Sequence, residues 1–290
     1  MANFPTDTYT GSNLANLIPT IWSPKMNDFY KQAQVVSSFF TDLSSELTDG
    51  GKTVQWPVLT EMTASIKANA TPVTLNSATY DKVSLTVDTW YEVSFAIEDK
   101  EAAQVMRSYM LQEKLAKNAA YTVANKLEDA ILALFAGFTQ TVGASTTSIA
   151  DSDIRGAIAK LDSNNVPKED RCFFFDPTVF WTQIYALDRF VSRDFTNAMP
   201  VDNGFTGLLY GIPCKTTNRI PYVNTTTGRT NALVHKDAIV FATHNLGGQG
   251  KFRLQSNYIP QYLSTLVTAD IVYGVVKNRD NAGVLIYTKA

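Results

Sequence analysis

Val83-Ser84-Leu85-Thr86-Val87-Asp88-Thr89-Trp90-Tyr91-Glu92-Val93-Ser94-Phe95-Ala96-Ile97-Glu98 keeps one rhythm along its whole length. Val83, Leu85, Val87, Thr89, Tyr91, Val93, Phe95 and Ile97 fall on one side; Ser84, Thr86, Asp88, Trp90, Glu92, Ser94, Ala96 and Glu98 fall on the other. Successive side chains of a strand point to opposite faces, so an unbroken period of two marks a β-strand buried on one face. At about 3.3 Å per residue such a strand runs roughly 50 Å, far beyond the usual five or six residues.

Upstream, residues 53–62 alternate as well, with Val54, Trp56, Val58 and Met62 on one side, after the turn signal Asp49-Gly50-Gly51. Residues 63–80 between the two runs are small and polar (Ala64, Ser65, Asn69, Ala70, Thr71, Pro72, Asn76, Ser77), the composition of a hairpin tip. Downstream, Asp99 reads as the cap of a helix over 100–136, free of Gly and Pro and ended by Gly137. Its apolar positions Met106, Met110, Ala116, Ala120, Ala124, Leu127, Ile131 and Leu134 recur at helical spacing. At 1.5 Å per residue this is a rod of about 55 Å. The heptad breaks at Lys117-Asn118 and Asn125-Lys126, which favours packing on a sheet over a coiled coil. A compact chain of this length has a radius of gyration of about 19 Å. Part of the hairpin must therefore project, and its apolar face requires cover from a second chain. The unpaired amides of a projecting strand also invite edge-to-edge association.

Before this unit, residues 1–34 are rich in Thr, Ser, Asn and Pro and read as an extended arm, with Leu14, Leu17, Ile18, Ile21 and Trp22 as anchors. Ser23-Pro24 opens a short helix containing Phe29, Tyr30 and Val35. After it, 151–161 reads as a helix burying Ile154, Ile158 and Leu161, and 171–175 as a buried strand. Asp176-Pro177 starts another helix through Phe180, Ile184 and Leu187, and 218–230 is turn-rich. Strands are expected at 238–242, 271–277 and 283–287. No linker separates these parts, so two subdomains would exchange chain several times.

The 290 residues are 45% hydrophobic and 18% charged, which supports a substantial core, and the net charge of −2 comes without a basic run that would form a nucleic-acid groove. The opening Met1-Ala2-Asn3-Phe4-Pro5-Thr6-Asp7 lacks the features of a signal peptide, and no stretch is apolar enough to span a bilayer. Aromatic residues follow strand and helix periods rather than interleaving with Lys and Arg.

Chemistry-bearing patterns are sparse. Gly247-Gly248-Gln249-Gly250 precedes residues that read as extended, so it offers no helix N-terminus to a phosphate and is a turn. His235 and His244 lack the spacing of a helical metal pair. His235-Lys236-Asp237 imitates part of a triad without a GxSxG serine, and reads as a strand-end turn. Asp151 and Asp153 are expected to cap the helix they open. Cys172 lies in an apolar strand, and it and Cys214 are expected as free thiols. Glu128-Asp129 reads as a solvated or subunit-facing patch. No catalytic, cofactor-binding or metal-ligating residue is assigned, and no enzymatic activity is expected.

The order of these elements resembles that of the major capsid proteins of tailed bacteriophages, the Hong-Kong-97-type fold family that encapsulins share. Gly207-Leu208-Leu209-Tyr210-Gly211-Ile212-Pro213 is similar to the family's glycine-bounded segment leading into an axial-domain strand. Tyr273-Gly274-Val275-Val276 and Ala282-Gly283-Val284-Leu285 resemble its closing strands. The resemblance implies an α+β fold with an N-arm (1–36), an extended hairpin or E-loop (52–86) and a spine helix (99–136) within a peripheral part (37–140). An α/β axial domain (141–235) and closing strands shared by both parts (236–290) complete it. It further implies self-assembly as hexamers and pentamers into an icosahedral head around double-stranded DNA held non-specifically. The partners it adds are a portal protein, a decoration protein in some systems and, because no fused scaffolding segment precedes the arm, a separate scaffolding protein. No membrane is involved; assembly is expected in the bacterial cytoplasm and residence in the virion. An encapsulin-like shell around a protein cargo is the nearest alternative; an enzyme with an unrecognised site, against which the poverty of His and clustered acids speaks, and a phage tail or surface binding protein, against which the long helix argues, stand behind it. Some relatives weld a loop lysine to a neighbour's asparagine; Lys67 lies near the tip, but no matching asparagine context stands out, so an exposed lysine is expected.

Overall fold

The alternating stretch that begins at Val83 is two strands serving two sheets, not one 50 Å strand. The computed structural model describes residues 34–47, 50–59, 61–75, 80–101, 103, 111–187, 207–223, 227–246 and 252–290. Nearly all of the expected arm, its short helix with Phe29 and Tyr30, Met106, Met110 and Gly247-Gly248-Gln249-Gly250 lie outside these residues.

Strand β1 (Thr41–Asp42) is followed by β2 (Thr53–Leu59) and β3 (Tyr80–Thr86), then β4 (Thr89–Glu98) and a helical turn α1 (Asp99–Glu101). Helix α2 (Leu111–Ala133) continues as a 3-10 turn over Leu134–Gly137, so the expected break at Gly137 is met. Next come β5 (Gln140–Gly143), helix α3 (Asp151–Ser163), β6 (Arg171–Phe175) and a short α4 (Pro177–Val179) extended by a π turn over Phe180–Ile184. The rest is strands: β7 (Leu208–Leu209), β8 (Ile212–Thr216), β9 (Gly228–His235), β10 (Ile239–Thr243), β11 (Arg253–Ile259), β12 (Ser264–Lys277) and β13 (Gly283–Lys289).

Three sheets result. β2 and β3 form a two-stranded hairpin with Val54 opposite Leu85 and Trp56 opposite Val83. β12 is the centre of a five-stranded sheet, flanked by β4 on one edge and by β11 and β10 on the other, with β1 parallel to β10. The third sheet is mixed, in the order β5-β13-β9-β6-β8-β7. The hinge between β3 and β4 has a tertiary cause. The Val87 N–H still follows the β2–β3 register, donating to the Lys52 carbonyl at 2.9 Å, and at this point the chain crosses β12 at Gly274. A Cβ on Gly274 would collide with the Thr86 carbonyl and stand 3.0 Å from Val87 Cα, so only glycine permits the crossing. The inward face survives on both sides of it. Leu85 and Val87 join Leu47, Val240 and Ala242 in a small core, while Val93 and Phe95 pack on the main one. The apolar face of β4 is thus covered by its own chain, which confines the expected need for cover from a second chain to the end of the hairpin.

The main core lies between α2, β12 and one face of the six-stranded sheet; α3 and α4 cover the other face. This two-sided burial explains Arg171-Cys172-Phe173-Phe174-Phe175. Cys172 and Phe174 enter the main core, Phe173 and Phe175 the second, and every residue of β6 is buried. The helix face differs by about one position from the expected one. Ala119, Val123, Leu127 and Ile131 are buried, whereas Ala116, Ala120 and Ala124 are half-buried, because the larger side chains at 123, 127 and 131 are those that fill the space over β12. Residues 218–230, read as turn-rich, lead into β9, which the sequence hid because its residues are buried on both faces and show no alternation. The β7–β8 hairpin turns at Tyr210 (φ 52°) and Gly211 (φ 80°), a pair of positive angles that suits tight hairpins.

Candidate assembly surface

The hairpin is fastened at its base and bare at its end. Leu85 is fully buried, Val54 and Trp56 pack beside it, and Trp56 Nε1 donates to Asn278 Oδ1 at 3.2 Å. Three pairs further out, Leu59 faces Tyr80, and both are 68% exposed. Beyond them Met62 and Val73 are more than half exposed, Leu75 is 88% exposed and Ile66 is 101% exposed. The hydrogen bonds near the turn are local: Lys67 Nζ donates to the Ala68 carbonyl at 2.8 Å, and the Ala70 N–H donates to Asn69 Oδ1 at 3.1 Å. Six large apolar side chains on one reaching loop form a patch of the kind that marks a contact with another protein.

A second exposed region is the outward face of the five-stranded sheet. Its centre is Asp270 on β12, 2% exposed, which accepts from Arg253 Nε at 2.9 Å and Nη2 at 2.6 Å and from Trp90 Nε1 at 3.0 Å. Arg253 is its direct cross-strand partner on β11. The Arg253 hydrogen bonds hold the Asp270 carboxyl below its usual 3.8, helped by Trp90 and opposed by burial. A carboxylate depressed in the folded state stabilises fully above its ordinary pKa, and that contribution is lost as pH falls through the lower folded value. Asp270→Asn should therefore lower the melting temperature by a few degrees at neutral pH. The difference from the parent should close as pH falls from about 4 towards 2. A gap that stays constant across that range in thermal melts would rule out the charge as its source. At the far end of this sheet Tyr258 donates its hydroxyl to Asp99 Oδ2 at 2.8 Å, so Asp99 braces β11.

The residues singled out by sequence are scattered and engaged in structural work. His235 Nδ1 accepts the Asp237 N–H at 3.2 Å and opens the 3-10 turn Lys236–Ala238. His244 lies past the end of β10 and its Nδ1 is buried without a hydrogen bond. Asp153 Oδ2 accepts the Ala150 N–H at 3.0 Å at the start of α3, while Asp151 pairs with Arg155 at 2.9 Å and accepts the Tyr210 hydroxyl. Cys172 and Cys214 are free thiols on opposite faces of the six-stranded sheet, and burial pushes both up to about 12. Among the described residues no three His, Cys, Asp or Glu side chains gather as a metal site, and no helix is long and apolar enough to cross a membrane.

Glu128 is the exception to expectation. It is 2% exposed rather than solvated, because its carboxylate accepts the backbone N–H groups of Val36 at 3.0 Å and Ser37 at 2.7 Å. Its neighbour Asp129 is bound by Arg219 through two contacts of 2.7 Å. Only the adjacency of Glu128 to the buried Leu127 hinted at this in sequence.

A projecting hairpin, a long helix over a sheet whose central strand is β12, and a mixed six-stranded sheet flanked by helices together define an α+β fold of the Hong-Kong-97 capsid type. A solved structure described as Mycobacterium phage Che8 matches with a TM-score of 0.79 and 18% identity, over 93% of this chain and 97% of that one. The capsid structure of the cyanophage P-SCSP1u matches with a TM-score of 0.78 and 16% identity, over 98% and 96%. The asymmetric unit of the bacteriophage PhiM1 mature capsid gives 0.74 and 12%, over 93% and 92%. No protein-family model matches the chain, and no curated protein matches its sequence.

Proposed function

We propose that this chain is the major capsid protein of a tailed double-stranded-DNA phage, assembling as hexamers and pentamers into an icosahedral head. The observation that carries the reading is the bare apolar end of the β2–β3 hairpin, mounted on a body with this fold. A loop with Ile66 and Leu75 in water is unfavourable for a lone monomer and favourable where a second copy covers it. Many such contacts repeated by symmetry hold a shell although each is moderate. The capsid structures of P-SCSP1u and PhiM1 support the same reading. The net charge of −2 suits a wall that confines DNA without adsorbing it.

In this reading residues 1–36 are the arm, 37–140 the hairpin and peripheral part, 141–235 the axial domain, and 236–290 the closing strands that join them. The role is structural and no reaction is assigned. A separate scaffolding protein, a portal and, in some heads, a decoration protein are the partners the role brings; assembly takes place in the host cytoplasm and the product is the virion. The test is expression of the chain alone and with a candidate scaffolding protein, followed by light scattering and negative-stain microscopy. Shells, tubes or capsomers are the expected result, and a monodisperse 32.0 kDa monomer at high concentration overturns it. The contents of purified particles separate a phage head, which holds nucleic acid, from an encapsulin-like shell, which holds a cargo enzyme.

A further inference from the structure

Residues 35–42 form a strap that ties the two halves of the molecule together, and two side chains of opposite charge grip it from different elements. From α2, the buried Glu128 carboxylate accepts the consecutive N–H groups of Val36 and Ser37. From β8, Lys215 Nζ donates to the Val35 carbonyl at 3.1 Å and to Ser38 Oγ at 3.2 Å, and lies 5.5 Å from the centre of the Phe39 ring. The strap is itself a closed turn, with the Phe39 N–H on the Val36 carbonyl at 3.0 Å and Ser38 Oγ on the Val35 carbonyl at 2.9 Å. Beyond the turn, Phe40 stacks on Phe174, Thr41 Oγ1 donates to Asp237 Oδ1 at 2.9 Å, and β1 joins β10.

The charges make the grip selective. A carboxylate at 2% exposure requires donors, since an unpaired buried charge is costly. The two strap amides are donors to Glu128 that come from outside its own helix, and Arg219 on Asp129 adds a nearby positive charge. Lys215 belongs to the six-stranded sheet and Glu128 to the helix that packs on the five-stranded one, so the strap cannot shift along either without releasing one of them.

We propose that Glu128 and Lys215 are positioning residues for assembly: they lock residues 35–42 across the two halves of the body, and so hold the two sheets in the relative placement in which a second copy engages both. The inference rests on the capsid reading for its consequence but not for its geometry, and the experiment separates the two. Amide hydrogen exchange of the unassembled, full-length protein reads the clamp, and particle yield reads the positioning. In Glu128→Gln, which keeps shape and loses charge, exchange at Val36 and Ser37 should quicken between about 10- and 100-fold, as expected for a lost charge-assisted bond in a local opening, while Ile131 stays protected. Lys215→Met should quicken the same two amides and serves as the second variant if the first does not fold. Both should yield about tenfold fewer regular particles from protein with native melting behaviour, and Glu128→Asp should restore part of that yield. Unchanged exchange at Val36 and Ser37 overturns the clamp. A released strap with undiminished, regular particles overturns the positioning role. Failure of the parent protein to form particles at all counts against the capsid reading, with the exchange result still deciding the clamp.

Discussion

Ile66→Asp combined with Leu75→Asp is expected to abolish shell formation while leaving the melting temperature of the unassembled protein within a few degrees of the parent. Neither side chain contributes to the fold as it stands, because Ile66 is 101% and Leu75 88% exposed. Surface changes of this kind usually alter stability by no more than about 0.5 kcal/mol. On the proposed capsid reading, burial of each by a neighbouring copy would contribute about 1.5–3 kcal/mol, so the pair would account for roughly 3–6 kcal/mol per contact, or a factor of about 10² to 10⁴ in its affinity. Two charges placed in an apolar interface add a desolvation cost. Because a shell repeats the contact at every copy, a loss of that size at each one leaves no closed particle. Light scattering and negative stain read the result. Normal shells from the double variant would show that the hairpin end is not an assembly contact.

Phe174→Ala is expected to destabilise the folded body by about 3–5 kcal/mol, a large share of the roughly 5–15 kcal/mol that holds a domain together. Phe174 is fully buried, and its ring lies 5.6 Å from Phe39, 5.9 Å from Phe40 and 5.8 Å from Phe135. The side chain therefore joins β6, the strap and the end of α2 in one cluster, and its removal leaves a cavity that none of the three can close alone. Denaturant unfolding followed by tryptophan fluorescence measures the change. Phe39→Ala should cost less, since Phe39 is only half-buried. A loss below about 1 kcal/mol for Phe174→Ala would mean that the strap does not rest on β6.

Periodicity made the architecture readable wherever one face of an element is buried and the other is wet. From Val83 to Ile97 every second residue except Tyr91 is buried or half-buried and the intervening set from Ser84 to Glu98 is exposed, as their spacing implies, and α3 buries Ile154 and Leu161 as read. The signal weakens where both faces are covered. β9 was invisible for that reason, and β6 was legible only because three phenylalanines in a row cannot lie on a surface. Polar residues with long-range partners were the least legible. Asp270, Glu128 and Asn231 look like ordinary hydrophilic residues in sequence. In the fold they hold an edge strand, a strap and, through the Asp176 N–H at 2.9 Å and the Thr288 hydroxyl at 2.9 Å, the start of α4 and β13.

The division between the two sources of information has one physical origin. Local chemistry alone determined the alternating strands, the helix and the composition of the hairpin end, because a periodic pattern acts over a few neighbours. Only the tertiary structure decided that the strand breaks at Val87, since that depends on Gly274, nearly two hundred residues away, leaving room for the backbone to cross. It likewise decided which apolar side chains remain bare, because exposure is what is left after every long-range contact has formed.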